Sequence, residues 1–314
     1  MRVLITGASG FAGGYLARGC AEAGDEVIGI SRSGRAVEGG GESRAVDLVD
    51  AVAVRDVVRS TAPEVIYHLA ALSSVARSWE EPGQTLSDNV ASAAGLLEAI
   101  RHHAPRARVI WVSSCEVYGD PDQLPVGEDA PQRPANPYAV SKSAAEMLAG
   151  VYTDAYGLDV LIVRPFSHAG PGQRPLFILS SLARQAARAR VDGADSVRIV
   201  TGNPDTRRDF TDVRDVVRAY RLLAERAEPG TYNVSSSRSV SASDQVELLT
   251  ALLAPIEVQH EVDPARVRAH EVMDLRGANQ RVRQATGWQP EIPLRQTMLD
   301  TIEYWERELT ASRA

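Results

Sequence analysis

Residues 3–13 read VLITGASGFAG, an apolar run that leads directly into a glycine-rich turn. The three glycines, Gly7, Gly10 and Gly13, have the spacing G-x-x-G-x-x-G. We expect Gly7 to permit a tight turn, Gly10 to let the backbone approach a pyrophosphate, and Gly13 to let the following helix pack closely on the strand. The amides and the dipole at the start of that helix favour phosphate. The stretch therefore predicts a dinucleotide-binding turn made of Gly7, Ser9, Gly10, Phe11, Ala12 and Gly13.

Strand-like and helix-like stretches alternate through the first half of the chain. The strand-like stretches are short apolar runs, which is typical of parallel strands that are buried on both faces. They are Val3–Thr6, Glu26–Ile30, Val65–Leu69, Val109–Val112 and Val160–Val163. The helical patterns are Phe11–Ala23, Ala51–Ser60, Leu86–His102 and Tyr138–Tyr156. This alternation predicts an α/β fold with a Rossmann-type, doubly wound parallel sheet.

The alternation becomes less regular after about Phe166. We expect residues 1–165 to form an NAD(P)-binding Rossmann domain, and residues 166–314 to form mainly a smaller C-terminal α/β substrate-binding lobe. Part of the region of about 205–240, in particular Tyr232–Val234, is expected to return to the first domain. Helices are predicted at Ile178–Val191, Val213–Arg226, Ser243–Leu253 and Leu294–Glu308.

The composition argues against several classes of protein. Of 314 residues, 44% are hydrophobic and 24% are charged, which is an ordinary balance for a globular protein. The net charge of −7 argues against nucleic acid as a partner, because proteins that bind it usually have a basic surplus. Cys20 and Cys115 do not suggest a disulfide framework, and no stretch has metal-ligand spacing or membrane-spanning length. We expect a cytoplasmic protein without a metal site or a membrane partner.

The end of the second predicted strand indicates which dinucleotide is bound. An acidic residue there would bind the ribose 2′-hydroxyl of NAD, but the strand ends with Ser31 and Arg32. A guanidinium is suited to a 2′-phosphate, so NADP(H) is the preferred cofactor and NAD(H) is the alternative. Farther along, Asp47 and Leu48 are expected to contact the adenine.

Residues 136–142 read NPYAVSK and begin one of the predicted helices. Asn136 suits the N-cap position and Pro137 suits the first helical position. Tyr138 and Lys142 are four residues apart, so they share one face of that helix. A tyrosine hydroxyl with a pKa near 10 is a poor acid–base group at neutral pH, and we expect the nearby ammonium to lower that pKa.

Residues 113–119 read SSCEVYG and follow the predicted strand Val109–Val112. Ligands of such sheets bind at the carboxyl ends of the strands. We therefore expect the Ser114 hydroxyl to contact a substrate oxygen beside Tyr138, with the Glu116 carboxylate close by. The candidate catalytic residues are Ser114, Glu116, Tyr138 and Lys142.

Taken together, the glycine turn, Ser114, Tyr138 and Lys142 resemble the extended short-chain dehydrogenases/reductases of nucleotide-sugar metabolism. The resemblance runs over nearly the whole chain and includes His68–Ala71, Asn89, Arg208–Asp215 and Gly287–Pro290. It implies that the tyrosine is the acid/base, that the lysine orients the cofactor ribose, and that the serine polarises the substrate oxygen. It further implies that Leu69, Ala70 and Ala71 lie under the cofactor.

Within this family, the chain is most similar to GDP-4-keto-6-deoxy-mannose reductases and GDP-mannose 4,6-dehydratases. The likeness rests on residues 73–79, 164–173 and 207–215. It implies a nucleotide-diphospho-sugar substrate held by Ser73, Ser74, Asn89, Ser167, His168, Arg208 and Arg268. Ser167 stands where the family usually has Asn, and Cys115 stands where dTDP-glucose dehydratases have Asp.

Three reactions use nearly the same set of residues. We rank reduction of a GDP-4-keto-6-deoxy-hexose at the 4-keto group first, GDP-mannose 4,6-dehydration second, and nucleotide-sugar 4-epimerisation third. A non-catalytic NADP-binding protein is the alternative from a different class, although such proteins usually lack the Tyr/Lys pair. The resemblance also implies a homodimer, formed through the helices at Leu86–Ile100 and Tyr138–Tyr156.

Overall fold

A computed structural model describes residues 1–267 and 271–313. The first part of the chain contains β1 (Arg2–Thr6), α1 (Phe11–Glu22), β2 (Glu26–Ser31), β3 (Glu42–Ala45), α2 (Ala51–Thr61), β4 (Val65–His68), α3 (Val75–Glu80), α4 (Pro82–His103), β5 (Arg108–Val112), α5 (Pro137–Tyr156) and β6 (Val160–Pro165). The second part contains β7 (Ser167–Ala169), α6 (Ile178–Asp192), β8 (Ser196–Thr201), β9 (Arg207–Asp212), α7 (Val213–Arg226), β10 (Gly230–Val234), β11 (Ser239–Ser241), α8 (Ala242–Leu253), β12 (Glu257–Val262), β13 (Asp274–Leu275), α9 (Gln280–Thr286) and α10 (Leu294–Ala311).

Seven strands form one parallel sheet in the order β10-β6-β5-β4-β1-β2-β3. Strand order reverses direction next to β1, so the sheet is doubly wound. The predicted Rossmann-type α/β fold is confirmed. Because all seven strands are parallel, their carboxyl ends meet at one edge, where the glycine turn after β1 and the turn Cys115–Tyr118 after β5 both lie.

The core strands are apolar along their whole length because helices cover both faces of the sheet. Every residue of β4 and of β6 is buried, and Trp111 of β5 has no exposed surface. Side chains of α2, α4 and α5 pack with these strands in one hydrophobic cluster that includes Val58, Leu97 and Ala149.

Helix α5 begins as its sequence predicts. The side chain of Asn136 accepts a hydrogen bond from Ala139 N at 2.8 Å, and Pro137 occupies the first turn. The predicted N-cap is therefore confirmed, and it fixes where the helix carrying Tyr138 begins.

The chain divides into two compact units, and neither is a single stretch of sequence. The first comprises Met1–Pro165, Val217–Val234 and Ala278–Trp288. The second comprises Phe166–Val216, Ser235–Gly277 and Gln289–Ala314. In the second unit, β9 pairs with β7, β11 and β13, and β8 pairs with β12. Its hydrophobic cluster lies around α6, α8 and α10.

No helix within residues 1–267 and 271–313 combines the length and the apolar character that a bilayer crossing requires. The same residues contain no group of three or more His, Cys, Asp or Glu side chains arranged to hold a metal ion.

Residues 119–135 form an excursion between the Cys115–Tyr118 turn and α5, and its two ends are held together at the base. Arg133 N donates to Val117 O at 2.9 Å. Gly119 has φ +61°, and a Cβ on it would lie 2.0 Å from Arg133 O. Only glycine fits this position, because it allows both the left-handed backbone and the close approach.

We expect Gly119→Ala to lower the free energy of unfolding by roughly 2 kcal/mol or more, since it adds both backbone strain and a steric clash. Gly127→Ala is the matched control, because a Cβ on Gly127, in the same excursion, meets nothing within 4 Å. Urea denaturation of both variants measures the difference. Equal stability of the two variants contradicts the assigned role of Gly119.

Candidate active site

The glycine turn has the close packing that its sequence predicts. Gly7 has φ +73°, and its Cα faces the backbone of Ala70, which a Cβ would approach to 3.1 Å. A Cβ on Gly13 would lie 2.1 Å from Gly7 O, so α1 can reach β1 only without a side chain there. Ser9 and Gly10 are exposed at the start of α1. The free backbone amides at the start of a helix are suited to binding an anion. This turn fits a dinucleotide pyrophosphate.

The other predicted cofactor residues lie at the same edge of the sheet. Leu69, Ala70 and Ala71 directly follow β4, and Ala70 N donates to Thr6 Oγ1 at 3.1 Å. Asp47 and Leu48 follow β3; Asp47 is exposed, and Leu48 packs against the core.

Ser31 ends β2 and Arg32 begins the turn that follows it. Arg32 is exposed and makes no hydrogen bond or ion pair with the residues that the structure describes. Its guanidinium is therefore available to a ligand at this edge of the sheet.

Ser114, Tyr138 and Lys142 are buried and lie together at the carboxyl end of β5. Ser114 is the N-cap of the Cys115–Tyr118 turn, where its Oγ accepts from Glu116 N at 3.2 Å. The Ser114 side chain is close enough to Tyr138 to lower the pKa of its hydroxyl. A polarising hydroxyl and a phenol thus meet at one point.

The pKa of Tyr138 differs from the sequence-based expectation. Burial raises it above its ordinary value, the nearby Ser114 side chain lowers it by less than burial raises it, and the charge of Glu116 raises it further. The expected lowering by Lys142 is not found, because the Lys142 ammonium donates to Val112 O at 2.6 Å instead. In the chain without ligands, Tyr138 is therefore held as a neutral phenol.

Lys142 is a buried cation. Burial lowers its pKa from 10.5 to about 8, against an opposing effect of the Glu146 carboxylate one helical turn away. Lys142 in turn lowers the pKa of His68, although burial is the larger cause and the resulting pKa is about 3. His68, which stacks on Trp111 and hydrogen-bonds to Thr6 Oγ1 at 2.9 Å, is therefore a neutral neighbour.

Glu116 is half-buried, and its Oε2 accepts from Asn136 Nδ2 at 2.9 Å. The sequence predicts Asn136 only as an N-cap, because its contact with Glu116, twenty residues away, leaves no signal in the sequence.

Asn89 lies on α4, and both of its amide protons are used within the first unit. Its Nδ2 donates to Leu72 O at 3.2 Å and to Ser141 Oγ at 2.8 Å, while its Oδ1 accepts from Leu72 N. Ser74 caps α3 by accepting from Arg77 N, and Ser73 is exposed. Their contact with substrate stays a prediction.

The predicted substrate residues of the second unit lie on neighbouring strands. Ser167 and His168 belong to β7, which pairs with β9. Burial lowers the pKa of His168. Arg208 on β9 is half-buried and donates to Arg207 O and Val272 O, both at 2.8 Å. Arg268 lies outside the described residues.

The GDP-mannose 4,6-dehydratase family model matches residues 4–301. The chain belongs to that family. It is 38% identical to GDP-6-deoxy-D-mannose reductase of Pseudomonas aeruginosa over 78% of this chain and 81% of the relative. It is also 32% identical to UDP-glucose 4-epimerase of Mycolicibacterium smegmatis, over 98% of this chain and 99% of the relative.

Among solved structures, RMD from Pseudomonas aeruginosa complexed with NADPH superimposes with a TM-score of 0.84 at 32% identity. The match covers 98% of this chain and 100% of that one. The extended short-chain dehydrogenase/reductase identification is confirmed, and the chain is an enzyme of nucleotide-sugar metabolism.

We expect Lys142→Met to stabilise the cofactor-free protein at pH 7. The charged form of a lysine with this pKa costs about 3 kcal/mol in the folded chain, which exceeds the roughly 1 kcal/mol of its hydrogen bond. Between about pH 8 and 10.5 the unfolded chain binds more protons, so wild-type stability rises with pH and the gain from the variant shrinks. Urea denaturation at pH 7 and pH 10 measures this; a variant that is less stable than wild type by the same amount at both pH values contradicts it.

Proposed function

We propose that the protein is an NADP(H)-dependent nucleotide-sugar oxidoreductase that reduces the 4-keto group of a GDP-4-keto-6-deoxy-hexose and so forms a GDP-6-deoxy-mannose. The reductase relative at 38% identity supports the substrate class. The observation that carries the proposal is the burial of Ser114, Tyr138 and Lys142 together at the carboxyl end of β5, because it places a polarising hydroxyl beside a phenol that can donate its proton.

Ser114, Tyr138 and Lys142 each have a separate role in the proposed reaction. The nicotinamide, when bound, supplies the hydride that goes to carbon 4. Ser114 donates a hydrogen bond to the 4-keto oxygen, and Tyr138 gives its proton to that oxygen as the carbon–oxygen double bond becomes a single bond. The Lys142 ammonium, which donates to Val112 O in this structure, would hold the cofactor ribose when the cofactor is bound. A proton from solvent restores the phenol.

We propose that Arg208 and Arg268 bind the nucleotide diphosphate, since guanidiniums match phosphate geometry. Ser73, Ser74, Asn89, Ser167 and His168 complete the proposed substrate contacts.

A 4,6-dehydratase is the second candidate, and the position of Glu116 favours it. A dehydratase must remove water across carbons 5 and 6, and a carboxylate beside Tyr138 can serve as that acid/base. A 4-epimerase is the third candidate, supported by the UDP-glucose 4-epimerase relative that matches the chain from end to end.

Cofactor consumption separates these reactions. We expect GDP-4-keto-6-deoxy-mannose to drive the loss of one NADPH per sugar, measured at the reduced-nicotinamide absorbance band, and GDP-mannose to have no effect. A 4-keto-6-deoxy product from GDP-mannose with catalytic NADP and no reductant makes the enzyme a dehydratase. Interconversion of UDP-glucose with its 4-epimer makes it an epimerase. NADPH binding without any turnover favours a non-catalytic protein.

Two variants test the roles in that assay. Tyr138→Phe removes only the hydroxyl, so it should retain NADPH binding while the rate falls about 10²–10⁴-fold. Glu116→Gln should reduce a reductase at most about fivefold but a dehydratase by about 10²-fold or more, because only elimination needs a second acid/base. A Tyr138→Phe enzyme with a third of the wild-type rate contradicts the assignment.

We propose that Arg32, with Ser31, selects NADP(H) by binding the 2′-phosphate. Loss of a charge-assisted contact predicts that Arg32→Ala weakens NADPH binding about 10- to 100-fold and leaves NADH binding unchanged. Arg59→Ala is the control, since it removes another exposed arginine, on α2. Fluorescence titration gives the affinities; a wild-type protein that prefers NADH contradicts the proposal.

We propose a homodimer that forms through α4 and α5. Val140, Met147 and Val151 are exposed on α5 at helical spacing, and Met147 is 67% accessible. An apolar stripe of this kind marks an interaction surface. Met147→Glu should therefore yield monomers in sedimentation experiments, whereas Val52→Glu, an equally apolar exposed position on α2, should not. A monomeric wild-type protein contradicts this.

A further inference from the structure

Asn136 lies where the two halves of the proposed catalytic set meet. Its Oδ1 accepts from Ala139 N at 2.8 Å and caps α5, the helix of Tyr138 and Lys142. Its Nδ2 donates to Glu116 Oε2 at 2.9 Å in the turn that follows Ser114. One planar amide therefore joins the two segments.

The chemistry of the partners fixes the orientation of this amide. A backbone N–H can only donate, so Oδ1 must face α5. An ionised carboxylate can only accept, so the NH₂ group must face Glu116. Asn satisfies both partners at once. Asp and Ser are equally good N-caps, but Asp has no proton to donate and the Ser side chain is too short to reach both partners.

The surrounding backbone keeps the contact in place. Arg133 N and Val117 O close the base of the 119–135 excursion at 2.9 Å, three residues before Asn136 and one after Glu116. The N-cap bond fixes Asn136 from the helix side. The Glu116 side chain is the remaining movable part, and the amide of Asn136 restrains it.

We propose that Asn136 is a positioning residue that holds the Glu116 carboxylate beside the Tyr138 hydroxyl. Its effect on the reaction passes through Glu116, whose carboxylate it fixes between the turn that follows Ser114 and the start of the helix of Tyr138. The expected effect on turnover rests on the proposed function, whereas the contact between Asn136 and Glu116 does not.

The ionisable groups around the Tyr138 hydroxyl come from three elements. Glu116 and Cys115 face it from the turn after β5, Lys142 lies on its own helix, and Tyr220 approaches from α7. Of these, Glu116 is the group that Asn136 contacts, which makes a double-mutant cycle between positions 116 and 136 selective.

The first measurement needs no substrate. NMR of the side-chain amides identifies Asn136 by the signal that disappears in Asn136→Ser. A charge-assisted hydrogen bond to Glu116 places that signal downfield, and Glu116→Ala should move it upfield. If Glu116→Ala leaves the signal where it is, the contact does not exist in solution and the proposal is wrong whatever the substrate.

The second measurement is the cycle with Glu116→Ala, Asn136→Ser and the double variant. We expect Asn136→Ser to lower kcat about threefold to fivefold, with less than a twofold change in KM and an unchanged thermal midpoint, because Ser keeps the cap. In the Glu116→Ala background it should change kcat by less than about 1.5-fold. If Asn136→Ser lowers kcat equally in both backgrounds, Asn136 acts only as a helix cap and the proposal is wrong. The proposal is also wrong if Glu116→Ala clearly lowers kcat but Asn136→Ser leaves the kcat of the wild-type protein unchanged.

The two measurements distinguish the inference from the proposed function. If none of the sugar nucleotides is turned over, the proposed function fails while the amide signal still decides whether Asn136 holds Glu116. If turnover occurs but the cycle shows no coupling, the proposed function stands and the role of Asn136 fails.

Discussion

The hydrogen bond between Arg133 N and Val117 O is the constraint on which the candidate site depends. The parallel sheet brings the end of β5 to the correct edge, but α5 begins only after an excursion of residues 119–135. Closure of that excursion at its base brings the turn of Ser114 and Glu116 against the helix of Tyr138 and Lys142. Closure therefore supports the geometry of the four side chains, which come from two segments of the chain.

A buried network of charged and polar side chains also holds the Cys115–Tyr118 turn against α5. Arg164 of β6 is only 5% exposed and forms an ion pair with Glu146, one turn beyond Lys142 on α5. Its Nη1 donates to the Tyr118 hydroxyl at 2.9 Å, and that hydroxyl donates to Asn233 of β10. Removing one partner of a buried pair typically costs about 3–5 kcal/mol, so the network fixes turn, helix and strand together.

The parts of the fold that depend on local pattern could be predicted from the sequence. The glycine turn, the Asn136 cap and the strands of the parallel sheet are each specified by residues close to one another in the chain. Strand β9 was not predicted, because Arg207–Asp212 is too polar to read as a strand and forms one through pairing with β7, β11 and β13. The raised pKa of Tyr138 and the second contact of Asn136 also depend on packing between distant residues, which periodicity does not reveal.

The return of the chain to its first unit affects the order in which the protein can be made. β10 forms the sheet edge beside β6, and Trp288, in the last segment of that unit, is fully buried. A ribosome that has finished Pro165 must add about 120 more residues before Trp288 appears, which takes roughly 6–25 s. Until β10 has been added, about 70 residues after Pro165, β6 presents an unpaired edge, the kind of surface that recruits strands from other chains. The first unit therefore stays incomplete until only 26 residues of the chain, which belong to the second unit, remain to be added. Chaperones have the most to protect during this long stage of synthesis.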